Sequence, residues 1–342
     1  MTESQPISPA PGPGVECTVI VPSYSGVHRL PDLLDAFERQ DFAGDWELLV
    51  VIDGRLDDTE QLLAEHADRL PLRWIVHEIS QGISKAMNVG LREAQGRIVI
   101  RCDDDLTPQS DFISRHLSHH HGAASGIIGP TRDVFPNSRY ASAYGRPANQ
   151  RALRATYARE SDQNWIAWAA NNSAPRLDLL AVGGFDETLF YGEDSELGFR
   201  LHQRGLTILV DPQLETLHRG PAQNAEARIP RAFISGASAK AFSDRHPGVL
   251  RVDQHHGGSL LQRFWRTAVA ALASMLTNRQ RCRTLGRGVD RSIRFLPDAV
   301  SGKLLAFCVE AAGMAGRRFG RGDTTHFHAQ KSSDVAAEKR LT

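Results

Sequence analysis

Residues 17–22 (CTVIVP) form an unbroken, β-branched apolar run ending at a proline, the pattern of a strand buried on both faces of a parallel sheet. Leu30, Leu33, Leu34 and Phe37 then recur at helical spacing across 28–40. The alternation repeats, predicting strands at 46–52 (WELLVVI), 72–77 and 97–102 (RIVIRC) and helices at 58–70 and 84–95. Strand and helix in strict turn are the punctuation of a doubly wound α/β sheet, whose ligands gather at the carboxyl ends of the strands. Chemistry is therefore expected just after Val21, Ile52 and Cys102.

From about Gly122 the alternation weakens, and 131–162, rich in Arg, Ser, Asn and Tyr, reads as an irregular, substrate-facing insertion. Order returns at 164–173, followed by a helix at 176–182 and the turn Gly183-Gly184-Phe185-Asp186. A helix at 194–204 stopped by Gly205, a strand at 207–210 and the segment 215–220 close this half. Beyond it, 232–245, 260–276 and 303–317 read as amphipathic helices. The expected organisation is a flexible Pro/Gly/Ser-rich leader (1–15), an α/β domain (16–225), a helical extension (226–320) and a disordered tail (321–342).

Composition narrows the function classes. With 41% hydrophobic and 23% charged residues in 342, the chain can build a real core. Forty basic residues balance forty acidic ones, so no global electrostatic case for nucleic acid exists. Cys17, Cys102, Cys282 and Cys308 lie far apart without CxxC spacing, which argues against a zinc knuckle or disulfide framework and for a reducing, cytoplasmic setting. The start of the chain lacks an apolar core of the signal-peptide kind. The apolar run at 268–276 is half of the roughly 18 residues a spanning helix needs, so no membrane crossing is expected.

Asp103-Asp104-Asp105 stand directly after a buried strand. Two carboxylates separated by one residue can hold a hard divalent cation whose open positions take diphosphate oxygens, although the same acids could simply favour the start of the next helix. Glu193-Asp194 at a glycine-loosened helix start could supply a general base, with Glu196 and Arg200 as an i, i+4 pair; a capping role is the alternative. His218, after a strand and a turn, is a candidate third metal ligand. The run His119-His120-His121 ends a polar helix pattern and reads as solvated. Asp53 can reach a ligand at the sheet edge or serve as a turn residue before Gly54.

In combination these pieces resemble the inverting family 2 glycosyltransferases of the GT-A fold, over about residues 17–220. CTVIVPSYSGVHRL is similar to that family's first strand and nucleoside-contacting loop, and LLVVIDGRLDDT to its second-strand motif. QGISKAMNVGLREAQGRIVIRCDDDLTP resembles the approach to the metal-binding DxD, and AVGGFDETLFYGEDSELGFRL the block carrying the base. Departures are Ile52 in place of the first acid of the usual strand-two pair, Met87 at an often basic position, and Pro175 where Arg is common.

The resemblance implies a GT-A type doubly wound mixed sheet and Mg²⁺ or Mn²⁺ held by Asp103 and Asp105 with His218. It implies a donor site at Pro22, Ser23, Tyr24, Asp53, Lys85 and Asp104, with a UDP-sugar favoured over GDP- or dTDP-sugars. Asp194 is implied as the base, tuned by Glu193. Trp165, Trp168, Asn171 and Asn172 are expected to form either an acceptor wall, rings on sugar C–H and amides on hydroxyls, or core packing. The acceptor class is a glycan, a lipid-linked glycan or a small molecule; a non-catalytic nucleotide-sugar-binding or assembly protein is the alternative. A nicotinamide oxidoreductase is disfavoured because the first strand ends in VPSYSG rather than GxGxxG.

Between Gln262 and Phe295 lie eight arginines against Asp290 alone, interleaved with Leu261, Phe264, Trp265, Val269 and Leu272. That pattern fits peripheral attachment to an anionic membrane surface at its inner face, or else a helical contact with the catalytic domain or another subunit.

Overall fold

The computed structural model describes residues 14–189, 191–250 and 259–320. In chain order its first elements are β1 (Cys17–Ser23), α1 (Leu30–Glu38), β2 (Trp46–Asp53), α2 (Thr59–His66), β3 (Leu72–His77), α3 (Ile83–Glu93), β4 (Ile98–Cys102), β5 (Leu106–Thr107) and α4 (Phe112–Ser118). Then come β6 (Ser125–Ile128), β7 (Thr131–Asp133), α5 (Arg146–Tyr157), β8 (Asn171–Pro175), α6 (Arg176–Ala181), α7 (Glu193–Gln203), β9 (Thr207–Val210) and β10 (Thr216–His218). Four helices follow: α8 (Ala225–Arg245), α9 (Leu260–Met275), α10 (Arg279–Ser292) and α11 (Asp298–Phe319).

The chain divides into two compact units. The first comprises the described residues of Met1–Asp133, Leu153–Glu187 and Glu193–Gly220. Its main sheet has the strand order β3-β2-β1-β4-β8-β6-β9. β3, β2, β1 and β4 run parallel, β8 is antiparallel to both β4 and β6, and β9 is parallel to β6. The expected mixed, doubly wound sheet is therefore present, with its reversal at β8. Alternation along the strands sends Cys17, Val19 and Val21, Leu48, Val50 and Ile52, and Ile98, Ile100 and Cys102 to one face. There they pack with Leu30, Leu33, Leu34 and Phe37 of α1 and with Phe112, Ile113 and Leu117 of α4. Each such burial is worth about 1.5–3 kcal/mol, so this face is the main source of cohesion. A second, three-stranded sheet, β5-β10-β7, pairs His218 with Leu106 on one side and Asp133 on the other.

Behind β8 runs a chain of buried polar groups that the hydrophobic pattern does not announce. Asn171 donates its amide to the Leu214 carbonyl and Thr216 Oγ1, both at 2.9 Å, which leaves Oδ1 as acceptor for His116 Nε2 at 2.9 Å. His116 Nδ1 then accepts from Ser173 Oγ (2.9 Å), and Ser173 Oγ accepts from His120 Nε2 (2.8 Å). Burial pushes His116 down to about 3 and His120 down to about 4, so both rings are neutral, as this chain requires. The histidine run is thus not a solvated tract: His120 is buried, His119 bonds Asp211 at 2.8 Å, and His121 is exposed.

The second unit comprises the described residues of Val134–Ala152, Thr188–Gly192 and Pro221–Thr342, so part of the expected insertion groups with the C-terminal helices. That insertion is helical from 141 to 157. RPANQRALRATY buries no residue fully, so α5 has no apolar stripe to betray it. In the helical core Ile229 and Phe233 of α8, Val269 and Ala273 of α9, Cys282 and Val289 of α10 and Leu305, Cys308 and Ala312 of α11 pack together. α8 and α11 meet backbone to backbone: a Cβ on Gly236 would lie 2.0 Å from the Gly313 carbonyl oxygen, and one on Gly316 would lie 1.8 Å from that of Phe233. Among the described residues α11 is the one helix long and apolar enough to cross a membrane by length and composition, although Lys303 and Glu310 interrupt its apolar run. Its Leu305, Cys308, Ala311, Ala312 and Ala315 are buried in the helical core.

Because His116 and His120 titrate far below the unfolded value of about 6.5, the unfolded chain takes up protons first as pH falls. Their contribution is complete above that value and is lost as pH falls from about 6.5 to about 4 for His120 and about 3 for His116, at up to about 1.4 kcal/mol per pH unit for each ring. His116→Gln, whose amide can still donate to Asn171 and accept from Ser173, is expected to flatten the fall in urea-unfolding stability between pH 6.5 and pH 4.5 relative to the unsubstituted protein. An unchanged slope would show that His116 is not the group responsible.

Candidate active site

Period-two alternation puts Arg101 and Asp103 on one side of β4 and its extension, with Cys102 in the core on the other. Arg101, 2% exposed, grips Asp103 with one edge of its guanidinium, Nε to Oδ1 at 2.8 Å and Nη2 to Oδ2 at 3.3 Å. Its remaining nitrogen, Nη1, donates to Asp194 Oδ1 at the start of α7. The guanidinium lies 5.7 Å from the centroid of the Phe185 ring. Asn88 of α3 holds the Phe185 backbone in place, accepting its N–H at 2.8 Å and donating to its carbonyl at 2.9 Å. From the other side Arg200, paired with Glu196 as its spacing implied, donates to the carbonyls of Val182 and Gly184. The GGFD turn and the start of α7 are thereby fastened to the end of β4.

Three carboxylates crowd this single cation. Burial, with Asp105 and Asp194 nearby, outweighs Arg101 and lifts Asp103 to about 6. Burial also raises Asp194 above the ordinary carboxylate range against the pull of Arg101. Glu193, 5% exposed, rises to about 8 through burial and the charge of Asp194, and its Oε2 has no hydrogen-bond partner among the described residues. A carboxylate drawn toward neutral pH yet still faced by a guanidinium is suited to accept a proton.

On the far side of the triple-Asp turn, Asp105 Oδ2 lies 3.3 Å from His218 Nε2. The other ring nitrogen, Nδ1, is 2.6 Å from Asp133 Oδ1. Burial alone would lower His218, but hydrogen bonds to Asp105 and Asp133 carry it up to about 10. A carboxylate on Nδ1 that leaves Nε2 directed at a second carboxylate is the arrangement that orients a metal-ligating imidazole. Gly220 leaves the space beside them clear, since a Cβ there would sit 1.9 Å from Asp105 Oδ2. Once His218 gives up its Nε2 proton, Asp105 and His218 fit a divalent cation, whereas Asp103, two residues before Asp105, has both oxygens on Arg101. Asp133 and Arg101 were not anticipated; Arg101 was legible only as a charge inside an otherwise apolar strand.

Several expected donor contacts have other work. Asp53, 1% exposed, accepts from Ser80 Oγ (2.7 Å) and from the N–H groups of Gln81 (2.7 Å) and Gly82 (2.9 Å), and pairs with His77 Nδ1 at 3.1 Å. It shapes the loop that starts α3, the turn role rather than a ligand contact. Asp104 accepts from Ser23 Oγ at 2.7 Å and from Arg29 at 3.0 and 2.8 Å, while Arg29 also donates to the Tyr24 carbonyl at 2.7 Å. The buried Pro22, Ser23 and Tyr24 are thus stapled to the triple-Asp turn from within. Lys85 is exposed on the first turn of α3.

The acceptor wall is corrected. Trp168, 1% exposed, packs against Gly126 and Gly198, and Trp165 meets Phe199 at a tilt with ring centroids 4.9 Å apart, because these rings fill the space under α7. Both polar ends of Asn171 are spent in the histidine chain, and Asn172, 5% exposed, donates to the Ala169 carbonyl.

Residues 18–171 match the model for glycosyl transferase family 2. Over that stretch, somewhat under half of its length, the chain is similar to the family 2 glycosyltransferases. It is 24% identical over 266 residues to the validoxylamine A glucosyltransferase of Streptomyces hygroscopicus, covering 68% of this chain and 61% of that one. It is 26% identical over 274 residues to the pre-mycofactocin glycosyltransferase of Mycobacterium tuberculosis, covering 76% and 54%. The chain thus spans between half and two thirds of the length of these relatives. The mannosyltransferase PcManGT from Pyrobaculum calidifontis, solved with GDP-Man and Mn²⁺, has a similar fold (TM-score 0.59, 21% identity, 91% of this chain and 90% of that one).

Removing the central cation tests how far the first unit depends on it. Arg101→Met leaves the half-buried Asp103 and Asp194 without their cation, and is expected to cost up to about 3 kcal/mol of stability in denaturant titrations near neutral pH. Arg101→Lys, which keeps a point charge but not the fork, should lose less. Equal stability of all three proteins would show that the carboxylates are balanced otherwise.

Proposed function

We propose that this domain transfers a sugar from a nucleotide-diphosphate donor to an acceptor hydroxyl with inversion, using Mg²⁺ or Mn²⁺. The observation that carries the reading is the Arg101 bridge, which joins a member of the acidic turn at the end of β4 to the carboxylate pair at the start of α7. Asp103, Asp105 and His218 would hold the cation, which when bound neutralises charge on the departing diphosphate. Asp194 takes the proton of the acceptor hydroxyl as the new C–O bond forms and the bond from the anomeric carbon to phosphate breaks. Glu193, buried beside it, keeps the pocket's charge low enough for Asp194 to accept that proton near neutral pH. The guanidinium of Arg101 fixes the Asp194 carboxylate throughout. Support comes also from relatives that are themselves named glycosyltransferases. The acceptor belongs to the class of glycans, lipid-linked glycans or small hydroxylated molecules.

A screen of UDP-, GDP- and dTDP-sugars with Mg²⁺ and with Mn²⁺, reading both binding and transfer, tests this directly. Asp194→Asn should cut transfer by about 10²- to 10⁴-fold with donor binding nearly intact, because the amide keeps the shape and loses the basicity. Near-normal transfer by that variant would move the base elsewhere. Asp105→Ala should abolish metal-dependent turnover, and His218→Ala should weaken metal use less, since an imidazole that has given up its proton to ligate contributes no charge. Full activity in excess chelator would overturn the metal reading. Tight donor binding with no transfer to any acceptor class would favour the non-catalytic binding role.

A further inference from the structure

Residues 259–320 hold eleven Lys and Arg against Asp290, Asp298 and Glu310, a surplus of eight positive charges in a chain whose total is zero. Within this stretch the first turns of α9 stand out. Every residue from Ser259 to Thr267 is exposed, including Leu260 (83%), Leu261 (80%) and Phe264 (74%). Farther along, Val269 and Ala273 enter the helical core. Trp265 marks the boundary: its Nε1 donates to Glu310 at 2.8 Å and its ring meets Phe307 edge-on at 5.2 Å, so it is pinned to α11 rather than offered as an anchor. The helix is nonetheless well started, because Ser259 and Gln262 form a reciprocal capping box. At 100° per residue Leu260, Leu261 and Phe264 fall on one side, with the exposed Arg263 and Arg266 on the other.

Leu and Phe on one side and Arg on the other, in a capped helix end projecting from a basic surface, is the pattern of a helix lying in a bilayer interface. We infer that the first two turns of α9 dock the protein on an anionic lipid surface. Leu260, Leu261 and Phe264 enter the acyl boundary while Arg263, Arg266, the exposed Arg281 and Arg291 of α10 and Arg294 in the turn after it face the headgroups. The docking element is narrower than the whole basic region. α10 buries Cys282, Gly286 and Val289, and its Arg283 and Arg287 are paired with Glu226 of α8 at 2.8 and 2.9 Å. An acidic macromolecule would match the arginines but would have no use for three bare apolar side chains.

The experiment is co-sedimentation of the full chain with phosphatidylcholine vesicles, with and without phosphatidylglycerol, at low and high ionic strength. Binding is expected with the anionic vesicles and should weaken as salt rises, since attraction to surface charge fades within a Debye length. Leu261→Ser/Phe264→Ser, at positions more than 70% exposed, should lower partitioning by about tenfold or more with an unchanged thermal unfolding profile. Arg263→Glu/Arg266→Glu should abolish the preference for anionic lipid. Equal affinity for both vesicle types, or equal partitioning of the serine variant, would overturn the inference. So would sedimentation velocity showing that the unsubstituted chain self-associates through these residues and the serine variant does not, for the face would then belong to a second copy.

Discussion

A single buried guanidinium organises the carboxyl end of the parallel strands. Arg101 has no water to share its charge with, and its forked nitrogens are satisfied only if Asp103 and Asp194 converge on it from separate elements. Much of the neighbouring architecture serves that convergence. Asn88 and Arg200 hold the turn that brings Phe185 under the cation, and Arg29 with Asp104 stiffens the adjoining turn. A buried network of this kind is costly when one partner is lost and specific when all are present.

How legible the molecule is depends on which force shapes each part. β1, β2 and β4 are mainly apolar runs that belong in the middle of a sheet, β3 is its half-buried edge, and the limits of all four lie within a residue of the pattern's. The acidic pairs stand at strand and helix ends because the fold delivers them there, and Asp105 beside His218 follows from the pairing of β10 with β5. What could not be read depends on partners distant in sequence. Asp53 looks like a ligand contact until the loop 78–82 closes over it. Trp165 and Trp168 carry the same letters whether they face a sugar or Phe199 and Gly198. Arg101 is a bare charge in RIVIRC, and its partners are Asp103, just beyond the strand, and Asp194, 93 positions away.

The second unit shows the same contrast between apolar stripe and polar surface. α10, with glycines at 286 and 288 and arginines on most sides, has too little stripe to announce a helix, yet Asn278 caps it and Cys282, Gly286 and Val289 line its inner face. α8 and α11 associate through small residues rather than large ones, which is why α11 resembles a spanning segment in composition while packing in a helical core.

The directed chain from His120 through Ser173 and His116 to Asn171 has a consequence for β8 itself. NNSAP has no apolar alternation to set its pairing, and it lies where the sheet changes from parallel to antiparallel. Sliding the strand by one residue would bring Asn172 or Ala174 to the place of Ser173, and neither carries a hydroxyl that gives one proton while receiving another. The polar chain therefore works as a register lock: it indexes β8 against β4, and with it the whole second half of the sheet, by matching donors to acceptors where hydrophobic shape cannot.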